Sequence, residues 1–149
     1  MLLKRINRDD PEKIFIVVKN GYTTTAITSG QALSWDLVAV DGVTVTLPAA
    51  STGIAFAGIA VQTIAYGAYG MLQIYGYNSS VIVKTLTGGT PAGAAGVALA
   101  MTAAAFHLET MAISLSSTAA VPVQVPCGFL LAAQASFTTK AVAAFIKAM

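Results

Sequence analysis

Turn signals recur through the chain roughly every ten residues and separate short apolar segments rich in β-branched side chains. Asn20-Gly21, Ser29-Gly30 and Asp41-Gly42 are such signals. No strand signal alternates with a long helical pattern, as a parallel α/β sheet would require. The pattern therefore predicts an all-β fold, a single-domain β-barrel or β-sandwich of short antiparallel strands.

Three segments carry the clearest strand signals. Ile14–Val18 is a dense β-branched run. Ala32–Val40 reads as a strand around Trp35. Asp41-Gly42 then predicts a hairpin whose second strand is Val43–Leu47, with Val43, Val45 and Leu47 on one face and the threonines on the other. Further on, a strand over Met71–Tyr75, a turn at residues 76–79 and a return strand over Ser80–Leu86 are expected.

Two segments fit more than one structure. Residues 92–106 are mostly alanine, which favours a helix, but Gly93 and Gly96 make an extended loop with short strands a competitor. Residues 140–149 fit an apolar helical stripe and also a strand alternation, of which we prefer the strand. No exact internal repeat is visible in the sequence.

Charged residues are few and unevenly placed. They make up 9% of the chain, against roughly 25% in a typical soluble domain. Eight lie between Met1 and Lys19, and the remaining 130 residues hold six. The sequence thus divides into a polar N-terminal arm, residues 1–12, and one β-rich domain, residues 13–149. So bare a surface indicates that partners cover much of it, although abundant uncharged polar residues could also keep it soluble.

Several classes of partner and environment are disfavoured. The only basic cluster, Lys4–Arg8, is followed at once by acidic residues, so we expect no nucleic-acid binding. No run of about 18 strongly apolar residues occurs, and no signal peptide is recognisable, so we expect no membrane association. The single cysteine, Cys127, lies in an apolar setting typical of a buried, unreactive thiol.

Catalytic chemistry has few candidate residues. His107 is the only histidine, and a nucleophile elbow is absent. Asp36, Asp41 and Glu109 are the only carboxylates after residue 12, and Asp41 is explained by its turn. The sequence therefore predicts a protein that is not an enzyme and has no catalytic residue, metal site or cofactor.

Aromatic residues and the arm supply the candidate interface residues. Tyr is enriched at interfaces, although half-buried strand residues would explain the tyrosines equally well. The candidates are Lys4, Arg5, Arg8, Trp35, Tyr66, Tyr69, Tyr75 and Tyr77.

Two blocks resemble small tailed-phage head proteins. Residues 29–36 (SGQALSWD) and 41–48 (DGVTVTLP) are similar to the front half of those proteins. Residues 69–76 (YGMLQIYG) and the return over residues 80–83 (SVIV) are similar to their middle. The alanine-rich stretch at residues 92–105 departs from the pattern. This family is that of capsid decoration, or cement, proteins.

The resemblance implies a function, partners and a location. The protein would be made in the host cytoplasm and would sit on the capsid exterior, usually as a homotrimer. It would clamp neighbouring subunits of the major capsid protein, and the arm would help to anchor it. The alternatives are another virion subunit, of the tail or a head fibre, and a carbohydrate-binding β-module that uses Trp35 and the tyrosines as stacking platforms.

Overall fold

Strands dominate the structure, a computed structural model that describes residues 12–23, 25–48, 55–85, 93–102, 104–111, 125–134 and 139–148. Nine strands and no helix occur within these ranges, so the all-β prediction is confirmed. The strands are β1 (Lys13–Asn20), β2 (Ala32–Trp35), β3 (Thr44–Thr46), β4 (Phe56–Ala60), β5 (Tyr69–Lys84), β6 (Ala98–Met101), β7 (Leu108–Thr110), β8 (Gly128–Leu130) and β9 (Lys140–Lys147).

The strands close into two rings that share β5. The first ring, which we call the first barrel, runs β1-β3-β2-β4-β5 and closes where β5 pairs with β1. The second barrel runs β5-β7-β6-β8-β9 and closes where β9 pairs with β5. Most pairs are antiparallel, but β1–β3 and β5–β7 are parallel. Ring closure pairs both sides of each strand, and one mixed sheet therefore builds both barrels.

The shared strand β5 replaces the two strands and turn expected over residues 71–86, and that expectation is wrong. β5 is continuous over 16 residues. Gly76 has φ of 100°, and the register against β9 shifts between Asn78 and Val81. These residues, which look like a turn in sequence, bend the strand by an irregularity instead of ending it.

A buried glutamine holds the bend. Gln73 is almost fully buried, and its Nε2 donates to the carbonyl oxygens of Tyr75 at 3.1 Å and Tyr77 at 3.0 Å. Its Oε1 accepts a hydrogen bond from Asn78 Nδ2 at 3.1 Å. The amide therefore links the two halves of β5 at the waist between the barrels.

The second barrel repeats the topology of the first, strand for strand. In each, the first strand pairs in parallel with the third, the second pairs with the third and fourth, and the fifth closes on the first. The first strand of the second barrel is the second half of β5. Its closing strand, β9, corresponds to the first half of β5. This repeat of topology was not predicted from the sequence.

Matching backbone hydrogen bonds set the equivalence residue by residue. Gly30 N–H donates to Ala60 O at 2.8 Å, and Gly96 N–H donates to Leu130 O at 2.7 Å. Three further pairs of bonds match in the same way. In the first barrel, the N–H groups of Ala60, Ile64 and Val61 donate to the carbonyl oxygens of Gln31, Ile27 and Met71, respectively. In the second barrel, the N–H groups of Leu130, Gln134 and Leu131 donate to the carbonyl oxygens of Val97, Gly93 and Ala143. Among the described residues, the non-glycine residues with positive φ are Val40 at 50° and Ala104 at 55°, and they lie in the corresponding connections before β3 and β7, although these connections differ in length.

Each barrel has its own core. The first is filled by Val18, Ile27, Leu33, Val45, Ala57, Ala60, Ile64 and Leu72. The second is filled by Val81, Val83, Leu99, Met101, Leu108, Cys127, Leu130, Ala144 and Ile146, together with Ala32 and Ile59 from the first barrel. Alternation along β2 and β4 therefore sends one set of side chains inward and the other toward the second barrel.

Other expectations have mixed outcomes. β2 and β3 form the expected antiparallel hairpin, but residues 36–43 form a longer connection than the two-residue turn implied by Asp41-Gly42. Thr44 and Val45 are both buried, so both faces of β3 are covered at this point. β6 lies within residues 92–106, where a helix and a loop with short strands were both open, and β9 lies within residues 140–149, which confirms the strand preferred there. Of the arm, only Glu12 is among the described residues.

Candidate interaction surface

The first barrel carries an exposed apolar surface at the end where β1 finishes. Lys19 N–H donates to Val43 O at 2.9 Å, which brings the loop of residues 36–43 against this end. Asn20 N–H donates to Ala68 O at 3.0 Å, which brings in the turn of residues 65–68. Two separate connections are thus held side by side at the end of β1.

A buried asparagine organises this end. Asn20 is fully buried, its Nδ2 donates to Ile64 O at 2.9 Å, and its Oδ1 accepts from Tyr22 N–H at 2.8 Å. Its carbonyl oxygen accepts from Gly67 N–H at 2.8 Å. With these groups satisfied, the strand end is a fixed support for the two loops.

Two aspartates shape the loop of residues 36–43. Asp36 Oδ1 accepts from Val38 N–H at 2.9 Å. Asp41 Oδ1 accepts from Val43 N–H and Thr44 N–H at 2.9 and 2.7 Å, and Thr44 Oγ1 donates to Asp41 Oδ2 at 2.6 Å. The Thr44 hydroxyl, followed by the two backbone N–H groups, lowers the pKa of Asp41 to about 2. Both carboxylates therefore serve local structure.

The loop displays large apolar side chains to solvent. Val38 is 91% exposed and Val40 is 85% exposed, and Leu37 beside them is also exposed. Val40 adopts φ of 50°, a left-handed conformation that is unfavourable for a β-branched residue. Because strain and exposure coincide at Val40, neither backbone preference nor core packing accounts for its side chain.

The neighbouring sheet face extends this surface. Val17 lies opposite Met71, and Lys19 lies opposite Tyr69, with their side chains on the outer face. Val17 is 65% exposed and Tyr69 is 64% exposed. We define the end patch as the exposed apolar residues Val17, Leu37, Val38, Val40, Tyr66, Tyr69 and Met71.

The structure divides the predicted interface residues into separate places. Tyr66 and Tyr69 belong to the end patch. Tyr75 and Tyr77 lie at the waist and are half-buried, with the Tyr75 ring edge-on to Phe145 at 5.1 Å between centroids. Trp35 packs against the core of the first barrel. The four tyrosines therefore do not form one cluster, and Lys4, Arg5 and Arg8 lie outside the described residues.

The placement of Trp35 bears on the carbohydrate-binding alternative. Carbohydrate binding would require Trp35 and the tyrosines to form an open platform on which a sugar ring can stack. Trp35 instead contacts the buried side chains of the first barrel, and Tyr75 contacts Phe145. The structure offers no observation that favours this alternative.

The candidate catalytic residues are similarly dispersed. Within the described ranges, no group of three or more His, Cys, Asp or Glu residues could hold a metal ion. His107 Nε2 lies 3.3 Å from Glu109 Oε1 on the second barrel, whereas both aspartates lie in the loop of residues 36–43 of the first barrel. Burial raises the pKa of the Cys127 thiol to about 11, so the thiol stays protonated at neutral pH.

Sequence reasoning missed the end patch except for its two tyrosines. Leu37, Val38 and Val40 were read as part of a strand around Trp35, whereas they lie in the loop after β2. Four apolar residues within a segment rich in turn formers were the available signal of an exposed apolar loop. No helix long and apolar enough to cross a membrane occurs in the described parts of the chain.

Comparison with known proteins adds no assignment. No family model matches the chain, and no curated protein matches its sequence. The resemblance to capsid decoration proteins therefore stays a prediction from the sequence.

Proposed function

We propose that the protein is a non-enzymatic structural component of a phage head, a capsid decoration protein. It binds the outside of the shell and stabilises contacts between neighbouring major capsid subunits. The end patch is the observation that carries this proposal, and the sequence blocks at residues 29–48 and 69–83 support it. Binding by apolar contact is consistent with a chain that has few charges outside its first 19 residues.

The second barrel provides an internal comparison for the end patch of the first barrel. The position equivalent to Tyr69 carries Ala141, and the left-handed residue of the corresponding connection is Ala104 where the first barrel has Val40; both alanines are exposed. The same backbone therefore forms without large apolar side chains on its surface. Exposed apolar groups that the fold does not require are best explained by a partner that covers them.

The energetic role of the patch follows from its composition. Each large side chain that a shell covers contributes roughly 25 cal/mol for every Å² of apolar surface removed from water. Tyrosines at the centre of such contacts often cost about 2 kcal/mol or more when truncated. Tyr69, with its side chain exposed on a rigid strand, is the strongest candidate for such a contact.

The direct test uses shells assembled from the major capsid protein encoded in the same genome. The full chain is mixed with shells, and the bound copies are measured after sedimentation, together with the temperature at which the shells break. We expect saturable binding and a higher breaking temperature. A double variant, Val40→Ser with Tyr69→Ser, should bind at least tenfold more weakly.

A matched control comes from the second barrel. Ala104→Ser with Ala141→Ser changes the corresponding exposed alanines and should bind like the wild type. Absence of wild-type binding to shells, or equal binding by the end-patch variant and the wild type, would contradict the proposal. Binding to isolated tail tubes in preference to shells would favour the tail-subunit alternative.

A further inference from the structure

A cleft of about 330 Å³ lies at the waist, where β1 pairs with β5. We call it the waist cleft. Its polar lining consists of Lys13, Ser29, Gln73 and residues 78–80. Its volume falls at the lower end of the range of roughly 300 to 1,000 Å³ in which proteins bind small molecules. The waist cleft is therefore large enough for a compact organic ligand.

Two strand irregularities border the waist cleft. The pairing of β1 with β5 passes over Ile74, next to Gln73. The pairing of β5 with β9 places Ser79 and Ser80 opposite the single residue Ala143. Irregularities of this kind change the direction of side chains and are common beside functional sites.

The backbone around Ser29 is held in place by its neighbour Gly30. Gly30 N–H donates to Ala60 O at 2.8 Å, and Gly30 O accepts from Ile82 N–H at 2.9 Å. Gly30 has φ of 86°, and a side-chain carbon at this position would collide with Ser80 O. The segments that carry Ser29 and Ser80 are therefore in direct contact, so this wall of the cleft is formed before any ligand binds.

Two amides hold the segment of residues 78–80. Asn78 Nδ2 donates to Gln73 Oε1 at 3.1 Å, and Asn78 Oδ1 accepts from Ser80 N–H at 2.9 Å. Gln73 itself is almost fully buried, whereas Ser79 and Ser80 are exposed. The two serine hydroxyls are thus hydrogen-bond donors on a fixed backbone.

Lys13 gives the waist cleft a positive charge. Among the described residues that line the cleft, Lys13 is the one with a charged side chain, and none of these residues is acidic. Lys13 Nζ lies 5.8 Å from the centroid of the Tyr77 ring, an attraction that restricts the ammonium group. The lining therefore favours a ligand with a single negative charge.

The rest of the lining is apolar and consists of Phe15, Val61 and Met71. Phe15 is 44% exposed and Met71, which also belongs to the end patch, is 42% exposed. Their surfaces can be covered by a ligand. A strongly hydrated inorganic anion would gain nothing from this wall, whereas an anion with an apolar body would be complementary to both parts of the lining.

We propose that the waist cleft binds a small monocarboxylate that carries a compact apolar group. The ammonium of Lys13 pairs with the carboxylate, and the hydroxyls of Ser79 and Ser80 donate hydrogen bonds to its oxygens. Phe15 and Met71 cover the apolar group. This binding site does not depend on the proposed binding to a viral shell.

The test uses benzoate as the probe and the full chain, with binding followed by saturation-transfer NMR. We expect saturable binding with a dissociation constant on the order of 1 mM, because so few ligand atoms contribute. Benzamide has the same shape without the charge and should bind about two- to fivefold more weakly, as the loss of an exposed ion pair predicts. Added salt should weaken the binding of benzoate more than that of benzamide.

A pair of lysine variants locates the charge that matters. Lys13→Met keeps most of the side-chain length and should weaken benzoate binding by about two- to fivefold. Lys147→Met is the matched control, because it removes the same charge from β9 at a position opposite Tyr75 that does not line the cleft. It should bind benzoate like the wild type.

A variant that fills the waist cleft tests the location independently of charge. Ser79→Trp places a large ring at an exposed lining residue and should abolish the binding of both benzoate and benzamide. Circular dichroism checks that the variant is folded. Ser29→Trp, at another exposed lining residue, replaces it if Ser79→Trp does not fold.

Four outcomes would overturn the proposal. They are the absence of saturable benzoate binding to the wild type, equal affinities for benzoate and benzamide, an equal loss of affinity in Lys13→Met and Lys147→Met, and undiminished binding by the folded tryptophan variant. An equal loss in the two lysine variants would mean that the general surface charge attracts benzoate. Undiminished binding by the tryptophan variant would place the ligand outside the waist cleft.

Discussion

Two outer positions of the first barrel carry large apolar side chains, whereas the equivalent positions of the second barrel carry alanine: the pairs are Tyr69 with Ala141 and Met71 with Ala143. A third difference lies in the connections before β3 and β7, where the left-handed residue is Val40 in the first barrel and Ala104 in the second. Conversely, the second barrel exposes Phe129 where the first barrel buries Ile59. The comparison separates exposed side chains that the shared topology requires from those that occur in only one barrel.

Backbone conformation makes the same distinction at a single position. Val40 and Ala104 both adopt positive φ, so the connection before β3 and β7 requires a left-handed residue in either barrel. Alanine tolerates this conformation better than a β-branched valine does. The first barrel therefore keeps an unfavourable and exposed side chain, which is expected of a residue retained for contact with a partner.

The largest effect should come from the two equivalent core leucines, Leu33 and Leu99, each fully buried in its own barrel. Leu33→Ala and Leu99→Ala should each lower the free energy of unfolding by about 2 to 5 kcal/mol. Because β5 belongs to both barrels, either change should destabilise the whole molecule. Urea unfolding followed by circular dichroism measures the loss.

The single tryptophan can separate the two barrels in the same experiment. Trp35 packs against the core of the first barrel, so its fluorescence reports on that barrel. In Leu99→Ala, the fluorescence midpoint should fall together with the circular dichroism midpoint. A fluorescence midpoint that stays at the wild-type value would show that the barrels unfold independently.

Much of the fold was accessible from the sequence because strand signals are local. The β-branched run at residues 14–18 and the alternation at residues 43–47 depend only on neighbouring side chains, and both lead to strands β1 and β3. Even the ambiguous segment at residues 140–149 was resolved in favour of β9. Nearest-neighbour patterning therefore predicted the class of the fold.

Ring closure and the repeat were not accessible in the same way. The glycine and asparagine of residues 76–78 favour a turn locally, but long-range pairing with β1 and β9 keeps β5 continuous. One faint signal of the repeat does exist. Gly30-Gln-Ala-Leu33 and Gly96-Val-Ala-Leu99 share a glycine before the second strand and the leucine that fills each core.

The candidate site was only partly predictable, since exposure depends on tertiary structure. Tyr66 and Tyr69 were predicted as interface candidates and lie exposed, but the path of β5 places Tyr75 and Tyr77 at the waist. The exposure of Phe129 could not be foreseen at all. Phe129 looks like a core residue in sequence, and only comparison with Ile59 shows that its covering element is absent from the described chain.

A smaller change in the free energy of unfolding should come from substitution of Val40, which has a left-handed backbone conformation. Asparagine tolerates positive φ, so Val40→Asn should raise the free energy of unfolding by about 0.5 to 1 kcal/mol while weakening shell binding. Ala104→Asn should change stability less and leave binding unchanged. Urea midpoints and the sedimentation assay measure the two properties. A loss of stability in Val40→Asn would mean that the valine serves the fold.

The smallest effect concerns pH and again separates the barrels, since Ala105 follows Ala104 where Asp41 follows Val40. Hydrogen bonds from Thr44 and Val43 lower the pKa of Asp41 from 3.8 to about 2. The stabilisation from ionised Asp41 is therefore complete above about pH 4 and is lost as pH falls toward 2. Asp41→Asn removes this dependence, so the difference in stability between wild type and variant should shrink between pH 4 and pH 2.

Thr44→Val, which removes the hydroxyl that donates to Oδ2, should weaken the same dependence without removing the carboxylate. Urea midpoints measured across this range provide the test, and a difference that is constant with pH would show that the loop of residues 36–43 does not depend on the ionised carboxylate.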